Sequence, residues 1–418
     1  MPDQLSDDIK ALIIGNLCDT ILSNYPFDAI AKRMISLLKK NSQGEAYGNI
    51  ESFGDFASVL TNDLRTCSGD RHVHIFYHPA EAERLANQPP VSKDYPVSWW
   101  QLSPSDNFGI QKLAYLEGNV GYIKINVFAP VICAGDTVIA SMQFLSAADA
   151  IIFDLRECRG GDPFTVQLFE SYLFDDERIP TLFHTKYSKV EYPVQQTWSL
   201  PFVPGKRLPE IPVYVLISGD TFSGGEDMAY TLKHHRRAKI VGENSAGGAH
   251  PTEEYSIGAG FIMMLPNAYP EHPVTKSNWE GTGVVPDISV TRKDALPVAH
   301  EAALTELFER AEDKDQSHRL RWCLDRIKAV YHPAEVPKEV LANYIGVYRG
   351  WEVKLSGDDL YLSEVNGIGT SKLKPITEST FIADQDYNLR FEIAGDGKAR
   401  ALTWLPKVNK KEFEYLKD

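Results

Sequence analysis

The sequence predicts an α/β fold, and two patterns in its 418 residues lead to this prediction. Residues 150–153 and 212–217 are apolar runs of strand length without polar alternation, as expected for strands buried on both faces of a mostly parallel sheet. Between such runs apolar residues recur at helical spacing, as over 164–173. Strands that alternate with helices in this way are typical of a sheet covered by helices.

The region before this core is helical. Apolar residues at helical spacing over 9–40 and 52–65 predict three helices, which we expect to pack as a small bundle. We therefore assign residues 1–86 to an N-terminal helical domain. Residues 87–332 form the predicted α/β core, which begins with a proline-rich loop and closes with a charged helical segment at 298–329.

The region after the core has a different sequence pattern. Pro333 and Pro337 mark a linker, and short alternating segments follow between turn sequences such as Asn366-Gly367. This pattern predicts a small antiparallel β domain at residues 333–418.

Composition excludes several classes of function. The chain has 57 acidic and 43 basic residues, a formal charge of −14, and no run of Lys or Arg, so we expect no nucleic-acid partner. Its five cysteines are scattered without a C-x-x-C pair, which argues against a zinc site and a disulfide framework. We predict no metal and no cofactor.

The start of the chain and its hydropathy predict a location. The first residues are acidic and lack the features of a secretory signal. No apolar stretch approaches the roughly 20 residues that cross a bilayer. We therefore expect a cytoplasmic chain without a membrane span, and oligomeric state is not readable from the sequence.

Ser223 is the first candidate for chemistry. A buried strand ends near Ser218, a turn of small residues follows, and a helix begins close to Ser223. This arrangement puts a hydroxyl at the carboxyl edge of a parallel sheet, where α/β folds hold ligands, and at a helix N-terminus that can stabilise an oxyanion. The alternative is that Ser223 only caps the helix, a position that serine favours.

Two further loops contain glycine. Gly160 and Gly161 follow the strand at 150–153, and glycine there allows a backbone N–H to approach a reacting carbonyl. Ser245 nearly fits the G-x-S-x-G elbow, but Glu243 stands where the first glycine is required. We interpret residues 242–248 as a glycine-rich loop and not as the nucleophile.

These fragments together resemble peptidase family S41, which contains C-terminal processing proteases, the tricorn core and the interphotoreceptor retinoid-binding protein modules. The stretches that carry the resemblance follow in order: Asn24-Tyr25-Pro26-Phe27, Ser68-Gly69-Asp70-Arg71-His72, Asp154 to Gly161, Ser223-Gly224-Gly225-Glu226, Gly242 to Gly247 and Trp279 to Asp287. They cover roughly residues 10–300. The family's fold would make the core crotonase-like, with the N-terminal bundle and the C-terminal β domain as additions.

The resemblance also implies catalytic residues. Processing proteases pair the serine with a lysine, but Asn244 occupies that position and cannot act as a base. The tricorn-like branch uses a histidine and a glutamate, which here match His72 and Glu280, with Ser223 as nucleophile. His74 is the rival base, because residues two apart on a strand share a face. The oxyanion hole would use the N–H of Gly224 and of Gly160 or Gly161.

The predicted function is hydrolysis of peptide bonds through an acyl-enzyme on Ser223, with His72 as base. The stretch between His72 and the strand at residue 120 is too short for the PDZ domain of the processing proteases. Two alternatives stay open. One is a non-catalytic module that binds retinoid or another lipid, and the other is a hydrolase or acyl-transfer enzyme acting on a small ester or specialised metabolite.

Overall fold

The computed structural model describes residues 4–44, 46–87, 104–177, 180–189, 193–367, 369–408 and 412–418. Most of the proline-rich loop expected at residues 87–110 falls on 88–103, which lie outside the described residues. No helix in the described ranges is long and apolar enough to cross a membrane.

The helices occupy the N-terminal region, the core and the segment before the C-terminal strands. Within the described residues they are α1 (Asp7–Asn24), α2 (Asp28–Gln43), α3 (Phe53–Ser68), α4 (Pro79–Asn87), α5 (Val131–Phe144), α6 (Pro163–Ser171), α7 (Gly224–His234), α8 (Ala295–Arg310), α9 (Lys314–Tyr331) and α10 (Lys338–Ala342).

The strands of the first part of the chain are β1 (His74–Tyr77), β2 (Ile110–Leu116), β3 (Val120–Ile125), β4 (Ala150–Asp154), β5 (Thr181–Tyr187), β6 (Val194–Trp198), β7 (Val213–Ile217), β8 (Lys239–Gly242), β9 (Thr252–Gly258), β10 (Phe261–Pro266), β11 (Ala268–Glu271) and β12 (Ile288–Ser289). Those of the C-terminal part are β13 (Gly346–Tyr348), β14 (Trp351–Ser356), β15 (Asp359–Glu364), β16 (Thr370–Lys372), β17 (Lys374–Pro375), β18 (Thr380–Ile382), β19 (Tyr387–Ile393), β20 (Ala399–Pro406) and β21 (Phe413–Leu416).

The three N-terminal helices are present as predicted, and their ends follow capping rules. The Ser52 hydroxyl accepts a hydrogen bond from Asp55 N at 3.3 Å at the start of α3. At its other end, Gly69 takes φ 75°, the left-handed conformation that glycine adopts without steric cost. That turn ends the helix immediately before Asp70 and His72.

The central sheet has the strand order β12-β8-β7-β4-β3-β2, in which β8 runs parallel to both β7 and β12. All five residues of β4 and all five of β7 are buried. The continuous apolar runs therefore predicted these strands correctly, because both faces of this part of the sheet are covered.

Two antiparallel sheets were missed by the sequence analysis. One has the order β1-β10-β9 and the other β11-β5-β6. The physical reason is clearest for β6, whose residues are mostly exposed, so that it lacks an apolar run. Its hydrogen bonds to β5 define it as a strand, and hydrophobic patterning does not report backbone pairing.

The described chain forms two compact units. The first comprises residues up to 113, 122–147 and 153–295. The second comprises 114–121, 148–152 and 296–418. The first unit contains every residue that the sequence analysis assigned to catalysis.

The second unit contains the sheets β13-β14-β15-β16 and β17-β18-β19-β20-β21, both antiparallel as predicted. The rings of Tyr344 and Phe391 stack in its core, with centroids 4.5 Å apart. The helical segment expected at 298–329 is two helices, α8 and α9. They separate where Asp313 caps α9 by accepting a hydrogen bond from Gln316 N at 2.9 Å.

Candidate active site

Ser223 lies in the sharp turn between strand β7 and helix α7. Its backbone angles are φ 52° and ψ −120°, a region that side-chain-bearing residues rarely adopt. Holding a serine there costs roughly 1–3 kcal/mol, and such strain concentrates at functional sites. The side chain is half-buried and so is partly open to solvent.

The loop after the neighbouring strand β4 holds this turn in place. The Thr221 hydroxyl donates to Leu155 O at 2.8 Å, and the Phe222 N–H donates to Cys158 O at 2.9 Å. These bonds fix the backbone on the N-terminal side of Ser223. The strained conformation is therefore maintained by tertiary contacts and not by local preference.

The paired glycines pack directly against the strand-to-helix turn that contains Ser223, which we call the nucleophile turn after the role expected for this serine. A Cβ on Gly160 would lie 2.7 Å from Ser223 Cβ, and Gly160 has φ 98°, so a larger residue fits neither sterically nor conformationally. A Cβ on Gly224 would lie 3.2 Å from Gly161 N, which brings these two amides close together. In the described part of the chain neither the Gly161 N–H nor the Gly224 N–H has an acceptor. The Gly160 N–H points at the Cys158 sulfur.

Glu226 joins the nucleophile turn to the glycine-rich loop. Its buried carboxylate accepts a hydrogen bond from Ser223 N at 2.9 Å and from Gly248 N at 2.8 Å through one oxygen. The other oxygen accepts from Gly247 N at 2.6 Å and from the Ser245 hydroxyl at 2.5 Å. Burial raises the pKa of Glu226, although these four donors favour the charged form.

Ser245, excluded above as a nucleophile, has a hydroxyl that is fully engaged. Besides donating to Glu226, it accepts a hydrogen bond from Val284 N at 2.6 Å. Asn244, at the position where processing proteases carry lysine, is exposed on the loop surface. In the structure the Ser245 hydroxyl is thus engaged by Glu226 and Val284, and Asn244 faces solvent.

His72 lies beside the nucleophile turn. Its ring packs on Phe222, the residue before Ser223, with centroids 4.5 Å apart, and a Cβ on Gly248 would come within 2.8 Å of it. The ring is 6% exposed, and within the described residues neither of its nitrogens has a hydrogen-bond partner, so no bond to Ser223 is formed here. Burial lowers the pKa of His72 to about 4.

His74, the rival base, faces a different environment. Its Nδ1 lies 3.3 Å from the Arg65 guanidinium, and strand β1 pairs it with Met264. Burial lowers the pKa of His74, and the Arg65 charge adds to this effect. Of the two histidines, His72 is therefore the one that packs beside the nucleophile turn.

Glu280 shares a cluster with His72. One oxygen or nitrogen atom from each of Asp70, His72 and Glu280 lies within 4.8 Å of the others. Glu280 accepts a hydrogen bond from Ala249 N at 2.6 Å, and its Oε1 is buried without a partner in the described chain. Burial raises the pKa of Glu280. The same three side chains offer two carboxylates and an imidazole, which are ligands that a divalent cation takes. The expectation of no metal was based on the cysteines and did not consider this set.

Three residues at this site escaped the sequence analysis as functional candidates: Tyr25, Asp70 and His250. Asp70 is 2% exposed and accepts hydrogen bonds from Tyr25 Oη at 3.1 Å and from His250 Nδ1 at 2.7 Å. Tyr25 and Asp70 occur in stretches that carry the family resemblance, and His250 directly follows the glycine-rich loop. Those positions were the available signal.

A cleft of about 560 Å³ opens beside this cluster. Its walls include aromatic, acidic and imidazole groups: Tyr25, Phe27, Asp70, His250, Tyr269 and Glu280. Phe27 packs on both His250 and Tyr269, with centroids 5.3 Å apart in each pair. The N-terminal helical region thus supplies one wall of the cleft.

Two models of one peptidase family match the chain. Peptidase family S41 matches residues 119–290, and the N-terminal domain of peptidase S41 in eukaryotic IRBP matches residues 4–110. The chain therefore belongs to peptidase family S41. The resemblance drawn from the sequence is confirmed.

Individual relatives are distant. A carboxy-terminal-processing protease of Bartonella bacilliformis is 25% identical over 181 residues, which are 42% of this chain and 39% of that protein. A candidate peptidase of Parabacteroides merdae has a similar fold, with a TM-score of 0.51, 17% identity, and coverage of 73% of this chain and 99% of that one. The tricorn protease gives a TM-score of 0.43 at 14% identity, over 77% of this chain and 37% of that one.

We predict that Glu226→Gln destabilises the protein by about 1–3 kcal/mol, because an amide nitrogen would replace one carboxylate oxygen and face two donors. Urea unfolding measures this. Asp227→Asn is the matched control. Burial raises the pKa of Asp227 to about 7, and its carboxyl accepts a hydrogen bond from the Thr231 hydroxyl, which an amide oxygen can also accept, so the change should cost little. Equal losses in the two variants would contradict the prediction.

Proposed function

We propose that this protein is a serine peptidase that cleaves peptide bonds through an acyl-enzyme on Ser223. The observation that carries the proposal is the strained conformation of Ser223 at a strand-to-helix turn, beside two amides that have no acceptor in the described chain. Unused donors beside a nucleophile are what an acyl-transfer site requires, and backbone strain that surrounding contacts maintain is common at such sites. Membership of family S41 supports the same reaction.

His72 is the proposed base. The Ser223 hydroxyl attacks the scissile carbonyl while a neutral His72 nitrogen takes its proton, and the imidazolium then gives the proton to the leaving amine. The hydrogen bond between them is absent here, and such bonds often form only in the substrate complex. Glu280 is proposed to stabilise the imidazolium from within the same cluster.

The Gly161 and Gly224 amides are the proposed oxyanion donors. Their close approach, and the absence of a described acceptor for either, favour Gly161 over Gly160 for the first donor. Gly160 would serve by leaving room for Ser223. Water then hydrolyses the acyl-enzyme, with His72 again as base.

The lipid-binding alternative has less support. The cleft walls contain the ionisable side chains of Asp70, Glu271, Lys276 and Glu280, which a retinoid or another lipid would have to desolvate. A peptide and a small ester would acylate the same serine, and a fluorophosphonate reagent reports that nucleophile directly.

We predict that a fluorophosphonate probe labels Ser223, as located by peptide mapping, and that Ser223→Ala abolishes labelling. His72→Gln should slow labelling by roughly 10²–10⁴-fold, the usual contribution of a general base. His74→Gln is the matched control and should label at nearly the wild-type rate, since His74 faces Arg65. Loss of labelling in His74→Gln with retention in His72→Gln would reverse the base assignment.

We predict that labelling rises with pH through a midpoint near 4 and then stays constant to neutrality. Only neutral His72 accepts the proton, so activity is lost as pH falls through its pKa of about 4. The groups around the ring are Arg65, Asp70, Arg71, His250 and Glu280. Rate constants measured across pH test this, and a midpoint near the ordinary histidine value of about 6.5 would contradict it.

We predict that EDTA does not reduce labelling. General-base catalysis by His72 needs a ring nitrogen that can accept a proton, so the proposed mechanism requires no cation on Asp70, His72 and Glu280. Labelling rates before and after dialysis against EDTA measure this. A loss that added Zn²⁺ restores would overturn the metal-free mechanism.

A further inference from the structure

His250 is a buried histidine that the proposed mechanism does not use. It is 6% exposed and lies just after the glycine-rich loop that Glu226 holds. Its Nδ1 is 2.7 Å from Asp70 Oδ2 and 3.7 Å from Glu280 Oε2. One imidazole thus stands between two carboxylates that come from distant parts of the chain.

Asp70 connects this ring to the proposed base. Through Oδ1 it accepts a hydrogen bond from the His72 backbone N–H at 3.0 Å, and the same oxygen lies 3.8 Å from His72 Nδ1. Through Oδ2 it accepts from His250 and from the Tyr25 hydroxyl. Loss of His250 would therefore leave the Tyr25 hydroxyl as the described partner of Asp70 Oδ2 and loosen the carboxylate that holds the backbone of His72.

The two neighbouring carboxylates, Asp70 and Glu280, need a positively charged partner. Two carboxylates so close together repel, and burial penalises each of them unless a cation is paired with it. Burial opposes a charged His250, but the hydrogen bond and the charge of Asp70 outweigh it and raise the pKa of His250. Correspondingly, the hydrogen bond from His250 overcomes the effect of burial and lowers the pKa of Asp70.

We propose that His250 is a positioning residue of the active site, whose ion pair with Asp70 keeps Asp70 and Glu280 together and so fixes His72 against Phe222. It contacts no reacting atom and acts through Asp70. The inference rests on the proposed function, since it assigns a role relative to the base His72. It also makes Asp70, more closely than Glu280, the carboxylate that orients the base.

Two variants of His250 separate its hydrogen bond from its charge. In His250→Asn the amide nitrogen can stand near the position of Nδ1 and donate to Asp70, but it has no charge. In His250→Leu both are lost. We expect His250→Leu to slow fluorophosphonate labelling of Ser223 on the order of 10²-fold at neutral pH, the cost of a misplaced catalytic group. His250→Asn should retain more of the rate than His250→Leu.

The midpoint of the rise in labelling rate with pH gives the sharper test. His250⁺ disfavours protonation of His72 and Asp70⁻ favours it. The midpoint should therefore move to higher pH in His250→Asn and to lower pH in Asp70→Asn. The charged groups that also face His72, namely Arg65, Arg71 and Glu280, are unchanged in both variants. A merely structural role predicts loss of rate without opposite shifts.

His318→Asn on helix α9 is the control, and its rate and midpoint should equal those of the wild type. Thermal unfolding of every full-length variant shows whether it folds. If His250→Leu does not fold, His250→Asn remains the informative variant. A wild-type rate and midpoint in His250→Asn, or shifts of the same sign in His250→Asn and Asp70→Asn, would overturn the proposal.

Failure of the proposed function would look different. In that case wild-type Ser223 is not labelled at all. The ion pair is then tested by NMR titration of the His72 ring, in which the same opposite shifts are expected. Unshifted titration in both variants would overturn the positioning role independently of any activity.

Discussion

The buried carboxylate of Glu226 is the interaction on which the rest of the site depends. Its four hydrogen bonds connect the strained turn at Ser223 to the glycine-rich loop at 245–248. That loop in turn binds the next segment, since Trp279 Nε1 donates to Gly248 O at 2.8 Å and Gly281 N donates to Gly247 O at 3.0 Å. Because one buried acid satisfies donors from two loops, the positions of Ser223, His250 and Glu280 are coupled.

A second buried acid organises the surroundings of His72, the proposed base. Asp70 follows the glycine that ends helix α3, and it gathers the Tyr25 hydroxyl, the His72 backbone and the His250 ring. The nucleophile side and the base side meet where His72 and Phe222 pack together. The proposed nucleophile and the proposed base are thus held by two buried carboxylates, Glu226 and Asp70, to which the proposed mechanism gives no reacting role.

The N-terminal helical region forms part of this site. Tyr25 and Phe27 lie between helices α1 and α2, yet they contact Asp70 and His250. Both residues belong to one of the stretches that carry the family resemblance, which implies no role for them. A tyrosine and a phenylalanine in a helical region carry no periodic signal that separates a core position from a cleft wall, so only their contacts reveal it.

The sequence by itself determined the parallel core strands, the N-terminal helices and the antiparallel strands of the C-terminal region. Burial on one or both faces of these elements leaves a hydrophobic pattern along the chain. It also identified the family and, through matched motifs, proposed Ser223, His72 and Glu280. Only the tertiary structure decided that His74 turns to Arg65, that Gly161 and not Gly160 has an unused amide, and that His250 pairs with Asp70. Those facts depend on hydrogen bonds between residues as much as 180 positions apart, and local periodicity contains no information about such pairings.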